Sequence, residues 1–459
     1  SDAEVESAPF YHPGENSPEI QYIKERRQAL GGSVPRRRSQ VSVPDLPPKE
    51  SFTKLLGGTE GSVPASTTMA FARLFRDLLK AGDLGKRIVP ILADEARTFG
   101  MEALFKQVGI YTPGGQSYEP VDHNLLFSYT ERKDGQILQE GITECGSLAS
   151  TIASSTSYST IGEVTVPFFI FYSMFGFQRV GDQIWAMGDA RGRGFLLGAT
   201  AGRTTLNGEG LQHQDGHSPL MAATFPSCLS YDPAYAYEVA ILIEEGLRRM
   251  VQEQEDIHYY LTLYNENLEM PAMPEGSKEG ILEGMYLLAP APEGDGPEIR
   301  LLGSGSALPR VRTVARQLLD DHGIRAQVWS VTSYSELQRE AIEVDRWNLN
   351  NPSTEQKLTR VEERLPGSDI PVLAVTEYVR ALPDLIRPWV SAPWASLGTD
   401  GYGRSDTREE LRKHFETDEA SIEIAALSLL SRQGKIKGEQ VSAAQTRHGR
   451  DPGTPAPWL

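Results

Sequence analysis

The sequence predicts an α/β protein built as two consecutive open α/β domains. Three observations carry that reading. Short uncharged runs rich in Val, Ile, Leu and Phe alternate with stretches of helical period, the pattern of a buried parallel sheet with crossover helices. The first of these runs end in polar or glycine-containing residues. Residues 270–276, with Pro271 and Pro274, break the pattern once, and a second set of alternating runs follows. The predicted division is 1–50 as an N-terminal helix and Pro/Arg-rich linker, 51–275 as the first α/β domain, 276–437 as the second, and 438–459 as a polar, mobile tail.

Residues 1–14 read as irregular. Ser17-Pro18-Glu19 starts a helix with proline in its first turn, and Gly31-Gly32 stops it. Residues 34–48 hold Arg36, Arg37 and Arg38 with Pro35, Pro44, Pro47 and Pro48, and read as an extended linker. Over 67–80 the apolar residues Phe71, Leu74, Phe75 and Leu78 form a helical stripe. Residues 88–93 are a strand that ends at Asp94-Glu95, and 102–108 a helix. The uncharged run 164–177 reads as a buried strand, 166–172, and its exit; 195–200 is a third strand. In open α/β sheets ligands bind outside the carboxyl ends of the strands. The exits 94–97, 173–176 and 202–205 are therefore where a site is expected. Asp232-Pro233 is expected to cap a helix over 234–252, and 259–264 is a strand. In the second domain the strands are 299–302, 328–332 and 372–375, with Gly303-Ser304-Gly305-Ser306 turning into a helix over 307–320.

The 459 residues are 39% hydrophobic, enough for packed cores. A net charge of −17 argues against a nucleic-acid binder, which shows a basic face. Two cysteines, Cys145 and Cys228, are too few for a disulfide framework and fit a reducing cytoplasm. The run 164–177 is about 14 residues and contains Pro167, whereas a membrane span needs about 20. The acidic first residues predict no secretory leader.

Two stretches carry candidate chemistry. In LQEGITECGSL (138–148), Glu144 stands among glycines and apolar residues. A carboxylate there is costly to bury unless something pairs with it, which makes it a candidate for proton chemistry. A surface carboxylate near a helix start is the plainer reading. In NGEGLQHQDGH (207–217), His213 and His217 are four apart, a metal-ligand spacing on a helix. Gly208, Gly210 and Gly216 disfavour that helix, so a glycine-rich loop presenting His213 as acid, base or hydrogen-bond donor is the better reading. No metal ligands are assigned. Gly294-Asp295-Gly296, between two prolines, reads as a turn.

Several segments resemble the homodimeric type of pyruvate dehydrogenase, the first component of that complex. They are DEARTFGME (94–102), SYST (157–160), YSMFGFQR (172–179), GRTTLNGEGLQHQDGHS (202–218), SYDPAYAYEVA (230–240) and GTDGYGRSD (398–406). The resemblance covers the carboxyl-terminal part of that family's chain. It implies a pyrimidine-binding domain followed by a transketolase-like C-terminal domain, with thiamine diphosphate and magnesium as cofactors. It implies that Glu144 hydrogen-bonds a pyrimidine ring nitrogen and that Tyr172 and Phe175 pack on that ring. Asp94 and Glu95 would join the same network, and His213 would bind the substrate with Glu209 in the same loop. The implied reaction is decarboxylation of a 2-oxo acid, pyruvate, with acyl transfer to a lipoyl group on an acyltransferase. The diphosphate and the metal would sit on a partner chain or an upstream segment, two copies of each chain assembling in the cytoplasm. The sequence has Thr143 where the family often has Asn, and Gln214 where it often has an acid. Two alternatives are a split transketolase-like enzyme of specialised metabolism with another acyl acceptor, and a non-catalytic scaffold of the same fold.

Overall fold

The computed structural model describes residues 5, 10–32, 37–59, 63–94, 96–208 and 210–459. Strands β1 (Ile88–Leu92), β2 (Leu138–Gln139), β3 (Val166–Tyr172), β4 (Phe195–Ala199), β5 (Cys228–Tyr231) and β6 (His258–Leu263) form a parallel sheet in the order β2-β1-β3-β4-β6-β5. The central runs carry no charge because helices cover both of their faces. A second sheet holds β7 (Met285–Ala289), β8 (Glu298–Gly303), β9 (Arg325–Val331), β10 (Val372–Val375) and β11 (Trp394–Leu397), in the order β11-β10-β8-β9-β7. Its strands are parallel except β7, which runs antiparallel to β9. The fold is thus the predicted pair of α/β domains.

Helix α1 (Pro18–Ala29) starts as expected, with the Ser17 hydroxyl accepting from the Ile20 amide. Helix α2 (Thr67–Leu78) is capped by Ser66 and buries Phe71, Leu74, Phe75 and Leu78. Phe75 packs 4.8 Å from Phe168 of β3, which stacks 4.4 Å from Phe195 of β4, so one aromatic column seats the helix on the sheet. Helices α3 (Glu144–Ser155) and α4 (Phe177–Asp189) cover the other face. The expected long helix over 234–252 is α5 (Ala236–Leu247) followed by a π-helical turn, Arg248–Gln252. Its cap is not Asp232. Glu238 reaches back instead, accepting from the amides of Ala234 and Tyr235. Helices α6 (Leu308–His322), α7 (Tyr334–Asn350) and α8 (Glu419–Arg432) flank the second sheet.

Gly438–Arg447 forms a further helix, α9, that packs on α8 with Ala444 buried. The physical reason is Glu423 of α8, whose two carboxylate oxygens lie 2.8 Å from His322 Nε2 and 2.8 Å from His448 Nε2, with Arg447 also bonded to it. A polar helix is held here by one buried carboxylate that Arg447 and two imidazoles satisfy.

Asp232 belongs to the junction between the domains. Its backbone bonds to Thr332 and Gly305 of the second domain, and its Oδ1 accepts from Thr262 at 2.6 Å and Tyr264 at 2.5 Å. Gly305 has φ +48, and a Cβ there would lie 2.3 Å from the Tyr264 hydroxyl, so this crossing is closed to any side chain. Burial pushes the Asp232 carboxyl up to about 6, against the hydrogen bonds from Thr262, Tyr264 and Ser304. Its folded pKa lies above the ordinary 3.8, so its contribution to stability is greatest below that value and is lost as pH rises through about 6. Asp232→Asn keeps the Oδ1 acceptor and removes the ionisation. In urea unfolding the variant should gain on the parent as pH rises from about 4 to about 7.5, by at most about 3 kcal/mol. A gap independent of pH would refute this account.

Candidate active site

Two strand ends, one helix start and one loop converge. Asp94 follows β1, Tyr172 ends β3, and Phe175 sits in the short 3₁₀ turn Ser173–Phe175 that leaves it. Glu144 is the first residue of α3, whose N-cap Thr143 accepts from the Gly146 amide at 3.2 Å. A carboxylate in a helix's first turn is favoured by the exposed N–H groups there. Asp94, Glu144, Tyr172, Phe175 and His213 line one cavity of about 140 Å³, completed by apolar side chains including Phe99, Ile142 and Ile170. The lining is mostly apolar with a few converging polar groups, the composition of a small-molecule site.

Glu144 is buried, with 8% of its surface exposed. Arg179 Nη1 donates to its Oε2 at 3.0 Å, and the Arg179 guanidinium also lies 4.1 Å from the Phe175 ring centre. The partner that a buried carboxylate needs is therefore present, and it also holds an aromatic wall of the cavity. Tyr172 meets Phe99 edge-on at 5.4 Å and Phe175 at 6.1 Å.

His213 lies in the 3₁₀ turn Leu211–His213, its ring 4.8 Å from Tyr172 and 5.3 Å from Phe175. The turn is anchored just beyond it. Asp215, fully buried, accepts from the amides of His217 and Ser218 and from Gln178 Nε2, each at 3.0 Å, and also bonds the Ser218 hydroxyl. The Val379 amide donates to Gly216 O at 2.7 Å, and Arg203 donates to the carbonyls of Thr399 and Gly401. A Cβ on Gly216 would strike the Arg203 guanidinium at 2.2 Å. His217 uses its backbone in this network and does not line the cavity.

Two of the three strand exits expected to hold a site do line it. The third, 202–205, acts at one remove: Thr204 is bonded to Glu377 of the second domain, and the chain runs on from there to His213. Glu95 and Glu209 lie outside the described residues. Arg179 and Asp215 were not singled out from sequence, and Gln214 was noted only as a departure from the family pattern. Arg179 is the first charge after the uncharged run 164–177, and that is the signal that could have found it. Among the described residues no group of three or more His, Cys, Asp or Glu side chains is arranged to hold a metal ion, and no helix is long and apolar enough to cross a membrane. A larger cavity of about 610 Å³ lies under the C-terminal tail, lined in part by Lys413, His414, Ile424 and Arg450. None of the converging groups described above reaches it.

The architecture is that of the transketolase-like folds. The transketolase from Leishmania mexicana superposes with a TM-score of 0.63 over 90% of this chain and 51% of its own, at 16% identity. That likeness is one of fold. Two family models match the sequence: the Pyruvate dehydrogenase E1 component middle domain over residues 41–271, and the Transketolase-like TK C-terminal domain over 284–418. The pyruvate dehydrogenase E1 component of Pseudomonas aeruginosa is 52% identical over 453 residues, covering 98% of this chain and 51% of that protein. The one from Escherichia coli (strain K12) is 47% identical over 454 residues, again covering 98% and 51%. The chain belongs to the pyruvate dehydrogenase E1 family of the homodimeric type and comprises its middle and transketolase-like C-terminal domains. It spans about half the length of the curated relatives it matches.

Proposed function

We propose that this chain forms the pyrimidine-binding half of a thiamine-diphosphate-dependent enzyme that decarboxylates pyruvate and passes the acyl unit to a lipoyl group. The observation that carries the reading is the convergence of Glu144, Tyr172, Phe175 and His213 on one apolar cavity. Its walls fit a flat heterocycle: aromatic faces for the ring, and a buried carboxylate for a ring nitrogen. When bound, thiamine diphosphate supplies the electron sink for decarboxylation of a 2-oxo acid.

The chain's own residues bind, orient and move protons. Glu144 hydrogen-bonds the pyrimidine nitrogen through its carboxyl, with Arg179 setting the carboxyl's orientation. Tyr172 and Phe175 pack on the ring, an aromatic contact worth about 0.5–1.5 kcal/mol beyond area burial, and keep water from the carboxyl. Asp94 lies on the same wall, with Glu95 next to it in sequence. His213 stands at the open side and holds a proton against the substrate's oxygen. Glu209, four residues before it, supports that step.

The diphosphate and magnesium bind elsewhere, on a partner chain or on the half of the relatives' length that this chain does not span. Active sites then form between two copies of each part, in the cytoplasm, with a lipoyl-bearing acyltransferase as the next partner. Calorimetry of this chain alone with thiamine diphosphate and magnesium should show no tight binding. Adding the diphosphate-binding part should restore binding and pyruvate-dependent acetylation of a lipoyl domain. Tight magnesium-dependent binding to the isolated chain would refute the shared site, and turnover of pyruvate without lipoyl acetylation would point to another acceptor.

Glu144→Gln should leave the fold unchanged and slow exchange of the cofactor's thiazolium proton in the assembled enzyme by about a hundredfold or more. Proton-exchange NMR reads this directly, and parental exchange in the variant would remove Glu144 from the role. His213→Ala should lower kcat by about 10²–10⁴-fold and leave cofactor affinity nearly intact. Titration of cofactor binding beside steady-state kinetics separates the two. A variant with weak cofactor binding and normal kcat would mean that His213 serves the cofactor instead.

A further inference from the structure

Gln214, next to His213, is 1% exposed and bonded at both ends. Its Nε2 donates to the Leu206 carbonyl at 2.9 Å, within the same loop of the first domain. Its Oε1 accepts from the Arg404 amide at 2.7 Å, in the second domain. The donor must face the carbonyl and the acceptor the N–H, so the network itself fixes the orientation of the amide. The fit is tight from the far side as well: a Cβ on Gly403 would lie 2.7 Å from Gln214 Oε1 and 2.9 Å from Gln214 Cβ.

The approach to His213 from upstream runs through Gly208 and Gly210, both in the left-handed region at φ +79 and +82. Directly downstream of the histidine the first buried attachment is Gln214. We propose that Gln214 is a positioning residue: its side-chain oxygen ties the His213 turn to the main chain of Arg404, so that the C-terminal domain sets where the imidazole stands against Tyr172 and Phe175. The C-terminal domain lends no side chain to the cavity. It acts by holding the loop that does. The catalytic side of this inference rests on the role proposed above for His213; the positional side does not.

The test reads the ring's position first and turnover second. The chain is labelled with ¹³C at the histidine Cε1 atoms, and the His213 signal is assigned by its loss in His213→Ala. The nearby rings of Tyr172 and Phe175 give that signal a ring-current shift. Gln214→Met removes both hydrogen bonds at similar volume, and the shift should fall toward that of an exposed imidazole while the melting transition stays cooperative. Gly403→Ala pushes on the same contact from the second domain and should move the His213 signal in the direction that Gln214→Met does. In the assembled enzyme Gln214→Met and Gly403→Ala should lower kcat by roughly ten- to a hundredfold with cofactor affinity unchanged, the cost of a misplaced group. A parental His213 signal in folded Gln214→Met, or in folded Gly403→Ala, would overturn the proposal. A displaced ring with unchanged kcat would leave the tie standing and sink the role given to His213.

Discussion

The structure hangs on one buried carboxylate. Glu377 follows β10, is fully buried, and accepts from Arg310 Nη2 at 2.6 Å and from the hydroxyl and amide of Thr204 at 2.6 and 3.2 Å. Burial alone would raise its pKa. The charges of Arg310 and Arg412 and the Thr204 bond outweigh burial and hold the carboxyl down at about 2. Arg310 and Glu377 belong to the second domain and Thr204 to the first. A buried ion pair is a poor source of net stability, but breaking one is expensive, so it tolerates only one arrangement of its partners. Here that arrangement fixes the loop leaving β4, and with it the path to His213.

Around this weld the two sheets divide the work. The first presents its carboxyl ends to the cavity and supplies the carboxylate, the aromatic walls and the imidazole. The second sits behind the imidazole's loop and grips it through Thr399, Gly401 and Arg404 and the Val379 amide. Glu144 and Arg179 form a second paired charge, less buried on the arginine side, where 47% of the side chain is exposed. That exposure leaves the pair room to rearrange, which Glu377 does not have.

What could be read in the sequence follows from burial. The central strands of the first sheet are legible because both faces are covered and no charge interrupts them. Strands β5, β7 and β11 are not: β5 is four residues long, β7 turns partly outward at an edge, and β11 is only half buried. Helix α4 begins at Gly176 without a side-chain cap and is kinked at Val180, so it lacks the usual start signal. Helix α7 ends in Asn348 and Asn350, residue types that favour turns, although Ser333 caps its start by accepting from the Glu336 amide. Asp232 mimics a helix cap in sequence and is a domain hinge-pin in space. In the site, Glu144 and His213 stand out because their own neighbours in sequence are unusual. Arg179 is 35 residues from Glu144, and Arg404 is 190 from Gln214; only the fold brings them together.

The strand order has a bearing on how such a chain is made. β5 lies outside β6 in the sheet although it precedes it in sequence, so it has no neighbour to pair with until β6 arrives. β4 pairs with β3 on one side, and its other side waits for β6. While synthesis passes from residue 200 to residue 263, Phe195–Ala199 is an open, wholly apolar edge and Cys228–Tyr231 a loose strand. Open edges of that kind recruit strands from other chains. Parallel pairing across such separations is also slow. The ribosome-bound chain is thus most exposed to aggregation in the interval before His258 emerges, and that interval closes in one step when β6 inserts.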